Sequence, residues 1–160
     1  MVSGPSGIGK TSLVSGLVAQ WPSLYVRPIS YTSRPKRSGE DDSEYNIVSH
    51  SRILEEFQYG NLANLDNVYG NLYAIAKSSI DAALKRGLSP IKEIHPRNHG
   101  KIRRLYQDCA AILVLPDVGE KIISSPGKDS RLAQDAEFYS SIEIKDFEVI
   151  ARSSKTAGLN

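Results

Sequence analysis

Only one cysteine, Cys109, occurs in 160 residues, so the chain cannot close an internal disulfide. It stands in Cys109 to Leu115, the longest apolar run, where it reads as a small core residue rather than a nucleophile. That run is far shorter than the roughly 20 apolar residues that cross a bilayer. No basic-then-apolar leader stands ahead of Gly4, so a cytoplasmic protein without membrane contact is expected. Charge of one sign is lacking as well: 20 Lys and Arg against 18 Asp and Glu leave a formal +2. That balance, with no aromatic residues interleaved among the arginines, excludes a dedicated nucleic-acid surface. His and Cys do not recur at metal-ligand spacing and no local motif suggests a Ser-His-Asp set, so hydrolase chemistry has no support. His50 follows a helix cap, His99 lies in a polar turn and Trp21 precedes Pro22, and all three read as structural or surface residues.

What is present begins at the fourth residue. Gly4-Pro5-Ser6-Gly7-Ile8-Gly9-Lys10-Thr11 matches G-x-x-x-x-G-K-[ST] without a gap. The spacing has a chemical reason. Glycines let successive backbone N–H groups of Gly4, Ser6, Gly7, Ile8 and Gly9 turn toward a β-phosphate, Lys10 reaches the β and γ oxygens, and the Thr11 hydroxyl ligates Mg²⁺. A helix opening at Lys10 or Thr11 adds its positive end. ATP with Mg²⁺ is the expected cofactor pair.

Alternation of element signals sets the fold class. Met1 to Ser3 reads as a short first strand, and Leu13, Val14, Leu17 and Val18 fall at helical spacing over Thr11 to Gln20. Leu24 to Ser30 reads as one strand, followed by a charged loop with Pro35 and Gly39 that leads into a strand from Tyr45 to Val48. Ser49 caps a helix to about Tyr59, Leu62 to Tyr73 holds short strands with a Gly70-Asn71 turn, and Ala76 to Arg86 is a helix closed by Gly87. Pro90 to Ile94 is a strand, Lys101 to Gln107 a short helix, and Ala110 to Leu115 a strand covered on both faces. Helical pieces then run to Ile123 and from Ser130 to Tyr139, before a last strand from Phe147 to Ala151. Strands separated by helices after a phosphate loop predict an α/β P-loop NTPase domain: a mostly parallel sheet with helices on both faces.

A second constellation narrows the chemistry. Ser30-Tyr31-Thr32-Ser33-Arg34-Pro35-Lys36-Arg37-Ser38-Gly39-Glu40, then Glu44-Tyr45-Asn46, then Gly70-Asn71-Leu72-Tyr73 resemble the acceptor-binding segment of guanylate kinases. That family runs Ser-x-Thr-x-Arg, Arg-x-Gly-Glu, Tyr-x-Phe and Gly-Asn-x-Tyr. The resemblance implies that Arg34, Arg37, Tyr45 and Tyr73 grip the phosphate of a small nucleotide acceptor while Ser30 touches its base. It also implies a core over 1–28, 74–121 and 140–160, an NMP-binding subdomain over 29–73 and a short lid over 122–139. Electrostatics point the same way: donor and acceptor phosphates repel, so cations must stand at both ends of the transfer line. The reaction implied is transfer from ATP to a nucleoside monophosphate, GMP or dGMP first.

The departures from the family pattern bear on specificity and rate. Asn64 stands where the family reads guanine with a carboxylate, and an amide offers one acceptor and one donor in place of two acceptors. Asp66, two residues on along the same strand face, could bring a carboxylate back to the base. Glu93 and His95 stand at the family's Asp-x-Asp, leaving Glu93 to order a Mg²⁺ water or the acceptor ribose and His95 as a base contact or a surface histidine. Ile75 replaces a common Ser or Thr. In the lid only Arg131 resembles a phosphoryl-closing arginine, with catalytic roles for Lys10, Arg34 and Arg131 together. Arg152 could stack on the donor adenine. Two other readings stay open: a kinase for another phosphorylated acceptor, such as ribose 1,5-bisphosphate, and a binding module that holds a phosphorylated partner in the same cleft.

Overall fold

The computed structural model describes residues 1–38, 45–116, 139 and 147–153. Expectations over 39–44 and the helical pieces between 117 and 138, with Arg131 among them, lie outside the described residues. The core sheet is parallel throughout. β1 (Val2–Ser3) pairs β8 (Ile112–Pro116), and β8 pairs β9 (Val149–Ser153). β2 (Tyr25–Val26) pairs β7 (Ser89–Pro90), and a parallel bridge from Val2 to Glu93 joins the two groups. Two backbone hydrogen bonds of 2.9 Å, Val2 N–H to Lys92 O and Ile94 N–H to Val2 O, carry that junction. The strand order is thus β2-β7-β1-β8-β9.

Side-chain alternation along β1 decides which helix covers which face. Val2 packs with Ile8, Val14, Ile91 and Val114 beneath α1 (Lys10–Gln20). Met1 packs the other way with Ile80 of α3 (Lys77–Lys85) and Ile102 of α4 (His99–Leu105). Of the apolar residues expected on the buried face of α1, Val14 is fully buried while Leu13 is exposed. A third apolar cluster, Ile53, Leu62, Leu72 and Ala74, lies under α2 (His50–Gln58), whose Ser49 cap accepts from the Arg52 N–H at 3.2 Å.

The strand expected over Leu24 to Ser30 is in fact two strands in two sheets. Pro28 has no N–H for a ladder, and the chain leaves the core after Val26 to start β3 (Ser30–Thr32) elsewhere. β3 pairs β4 (Tyr45–Ile47) in parallel and β6 (Asn71–Ile75) antiparallel, with β5 (Asp66–Val68) on the outside of β6. This second sheet is therefore mixed. Its β5–β6 hairpin turns on Tyr69 at φ 51° and Gly70 at φ 78°, the two positive φ values of a two-residue hairpin turn. Two further corrections concern boundaries. The strand expected from Pro90 to Ile94 is regular only at Ser89–Pro90 and continues as the single bridge at Glu93. The helix expected at Lys101 starts earlier, at His99, after a 3₁₀ turn over Pro96–Asn98 that proline opens.

Candidate functional site

The glycine loop connects β1 to α1, and each glycine at positive φ has its own reason. Gly4, at φ 147°, lies so close to β8 that a Cβ there would meet the Val114 carbonyl oxygen at 2.3 Å. Gly7 at φ 81° and Gly9 at φ 95° turn the chain into the helix. Gly9 is the N-cap of α1 and no side chain caps that end, so the orphan N–H groups of the first turn face the loop. Ile8 anchors the loop from below, 3% exposed. Lys10 folds over it, its ammonium donating to the Gly4 and Pro5 carbonyls at 2.6 and 2.7 Å. Ser6 is half-buried and Thr11 exposed. From the far end of the chain, the Tyr139 hydroxyl accepts from the Gly4 N–H at 2.9 Å.

Arg27, a residue that sequence reasoning did not single out, braces this loop. Its two Nη atoms bind the two Glu93 carboxylate oxygens at 3.2 and 3.1 Å. Nη2 also donates to the Thr11 carbonyl and the Ser15 hydroxyl, each at 3.1 Å. Glu93 is thus held in a forked ion pair beside the first turn of α1. The available signal was a set of charged residues, Arg27 in one apolar stretch and Lys92-Glu93 in another, in segments that follow neighbouring strands.

At the second sheet, Arg34, Tyr45 and Tyr73 come together. Arg34 is 7% exposed, with its Cζ 5.0 Å from the Tyr45 ring centroid, and the Tyr73 ring meets Tyr45 edge to face at 6.4 Å. Arg34 also donates through Nη1 to the Pro35 carbonyl at 3.0 Å. Arg37 is exposed on the loop beyond. Ser30 is buried, and among the described residues its hydroxyl has no hydrogen-bond partner. Asn64, 4% exposed, has both ends of its amide engaged: Oδ1 accepts from the Ile75 N–H at 3.0 Å and Nδ2 donates to Asp66 Oδ2 at 3.1 Å. The same Asp66 oxygen accepts from Asn98 Nδ2 at 2.5 Å. Asp66 is therefore held by one amide from its own strand segment and one from the core. His95 caps the 3₁₀ turn, its Nδ1 accepting from the Arg97 N–H at 3.3 Å. Arg152 pairs through its backbone with Leu115 in β9.

His99, expected in a polar turn as a structural or surface residue, is structural: it opens α4 and is 7% exposed. Ser3 Oγ donates to the Ile94 carbonyl at 2.5 Å, so its contact with His99 Nε2 at 2.8 Å has the imidazole N–H as donor. Burial, followed by the positive charges of the chain's amino terminus and Arg103, pushes the His99 pKa down to about 4. The neutral ring packs edge-on to Phe147 at 5.2 Å.

The family model described as guanylate kinase matches residues 1–147. The chain belongs to the guanylate kinase family. Guanylate kinases of Alkalilimnicola ehrlichii and Hahella chejuensis are each 34% identical to it, over 76% and 81% of this chain and 60% and 64% of their own lengths. That of Methylococcus capsulatus is 37% identical over 72% of the chain and 57% of its own length. The chain thus spans about 60% of the length of the curated relatives it matches. A crystal structure of guanylate kinase from Anaplasma phagocytophilum superposes with a TM-score of 0.70 at 19% identity, covering 96% of this chain and 74% of that one, which shows the shared P-loop α/β fold. Among the described residues no helix is long and apolar enough to cross a membrane.

Proposed function

We propose that this guanylate kinase family member transfers the γ-phosphoryl group of ATP to the phosphate of GMP or dGMP. The observation that carries the reading is the link between the two anion seats through consecutive residues after β7. Glu93 holds Arg27, which braces Thr11 at the glycine loop, and Lys92 puts its ammonium 4.4 Å from the Tyr45 ring that Arg34 also touches. Donor and acceptor phosphates held at these places would share one cleft. In this reading Lys10 stabilises the migrating phosphoryl, Arg34, Arg37, Tyr45 and Tyr73 orient the acceptor, Ser30, Asn64 and Asp66 face its base, and Arg131 closes from the lid. Residues 29–73 form the acceptor-binding subdomain and 122–139 the lid, and Arg152 lies toward the donor base.

The uncapped start of α1 and the open space beside Gly9 fit a triphosphate cradle. Thr11 is the side chain that would hold Mg²⁺, which supplies charge neutralisation on the β and γ oxygens when bound. ATP and its acceptor are cytoplasmic metabolites, and we assign the activity there.

The occupied Asn64 amide favours a second reading, a kinase whose phosphorylated acceptor carries no guanine, such as ribose 1,5-bisphosphate. ADP release measured with GMP, dGMP, AMP, CMP, UMP and ribose 1,5-bisphosphate, against Lys10→Ala as blank, separates the two. Highest turnover with GMP or dGMP supports the first reading, and turnover with the bisphosphate alone supports the second. Wild type equal to blank for every acceptor refutes both and favours a binding module.

A further inference from the structure

We propose that Asn98 is a positioning residue for acceptor specificity, acting by holding Asp66 for the acceptor base; the inference rests on the second sheet being the acceptor seat. Asn98 closes the 3₁₀ turn and is the N-cap of α4, where an asparagine ordinarily folds its side chain back onto an N–H of the first helical turn. Here the side chain makes no capping bond. Its amide leaves the core instead and donates through Nδ2 to Asp66 Oδ2 at 2.5 Å, on the edge strand of the second sheet. Asn98 is 1% exposed, so a buried side chain gives up its local use for a partner 32 residues away.

Strand register shows which way Asp66 faces. Asp66 pairs with Tyr73, Tyr73 with Thr32, and Ser30 with both Tyr45 and Ile75. Paired residues put their side chains on one face, so Asp66, Ser30, Tyr45 and Tyr73 share a face of the sheet. The opposite face, with Tyr31, Leu72 and Ala74, packs on Ile53 of α2. Around Asp66 the polarity of the hydrogen bonds is set from the backbone outward. The Ile75 N–H can only donate, so Asn64 turns Oδ1 to it and Nδ2 to the carboxylate. Asn64 and Asn98 thereby occupy the same oxygen, Oδ2, and among the described residues Oδ1 accepts no hydrogen bond. A carboxylate on an edge strand is otherwise free to rotate into water. Two amides, one from its own sheet and one from the core, fix it before any ligand arrives, which leaves one anionic acceptor already oriented. Such an acceptor favours guanine, whose N1–H and N2–H₂ donate, over adenine, whose N1 accepts.

Asn98→Leu keeps the volume and removes the donor. Steady-state kinetics with GMP and AMP on wild type, Asn98→Leu, Asp66→Asn and the double variant read the preference as a ratio of kcat/KM. Asn98→Leu should lower the GMP-to-AMP ratio about tenfold, chiefly by raising KM for GMP, while kcat with GMP and KM for ATP stay within about twofold of wild type. In the Asp66→Asn background the same change should move the ratio by less than about twofold, because the group it positions is gone. An unchanged ratio in the folded Asn98→Leu variant overturns the inference. So do an equal loss with GMP and AMP, a matching rise in KM for ATP, or a full tenfold effect in the Asp66→Asn background. Should Asn98→Leu lose its thermal transition, Asn98→Asp, isosteric and without a donor when ionised, gives the same comparison. A wild-type preference for GMP that survives the change removes this inference alone, whereas a wild type that does not prefer GMP removes the nucleotide proposed above as well.

Discussion

Arg27→Met should be among the most destabilising single changes outside the apolar core. The Arg27 and Glu93 side chains are 9% and 17% exposed, so their ion pair is only weakly screened. Removing the guanidinium deletes both arms of the fork on Glu93 and the donors to the Thr11 carbonyl and the Ser15 hydroxyl, and leaves the carboxylate half-enclosed without its partner. Breaking a buried pair from one side costs about 3–5 kcal/mol. Water reaches Glu93 through its remaining exposure and pulls the expectation to the lower end, about 3 kcal/mol. Lysine cannot fork, so Arg27→Lys should retain one arm and cost about half as much, near 1.5 kcal/mol. Replacing both partners, Arg27→Met with Glu93→Leu, removes the stranded charge and should fall within about 1 kcal/mol of wild type, leaving a coupling of at least about 2 kcal/mol in the double-mutant cycle. Urea unfolding of the ligand-free protein reads wild type, Arg27→Met, Arg27→Lys, Glu93→Leu and the double variant. A stability for Arg27→Met within about 0.5 kcal/mol of wild type would refute the claim that this pair braces the loop.

Three further outcomes are expected. Gly4→Ala places a Cβ on the Val114 carbonyl and should lower stability by more than about 2 kcal/mol, whereas Gly9→Ala meets open space and should cost only its φ strain, about 1 kcal/mol; thermal unfolding of the pair separates clash from strain. His99 is held neutral in the folded protein, with its pKa lowered to about 4, so the unfolded chain binds the extra proton first and stability should fall as pH drops from about 6.5 toward 4. The loss should approach about 3 kcal/mol, and unfolding of wild type and His99→Gln across that window should show the steeper slope in wild type. Asp66→Asn should lower the preference for GMP over AMP by about tenfold in a competition assay if the carboxylate reads the base, and an unchanged preference would assign Asp66 to tying β5 to Asn98 instead.

Features with a local cause were legible in the amino-acid sequence. The loop glycines, the Ser49 cap and the Gly70 turn each follow from backbone conformation within a few residues, and each stands where its pattern predicts. The meeting of Arg34 with Tyr45 and Tyr73 was legible only through resemblance, because register in the second sheet sets it. Arg27, Lys92 and His99 were not legible, since each acquires its meaning from a partner far along the chain: Glu93 lies 66 residues from Arg27 and Ser3 lies 96 from His99. The break at Pro28 was visible as a proline. That the chain there changes sheets, rather than merely bending, depends on the packing of β3 between β4 and β6.

That change of sheets fixes how the second sheet is hung. The chain departs through Ile29 and returns through Ala76, and the two points are pinned side by side by the Ala76 N–H to Ile29 carbonyl hydrogen bond at 3.2 Å. Beside that seam Ala63 and Ile75 pack into the core cluster with Met1, Ile80 and Ile102, so this edge of the second sheet is seated in the core as well as threaded to it. The buried Asn98 amide on Asp66 adds a second tie, so β5 is bound to the core through a side chain where β3 and β6 are bound through the chain itself.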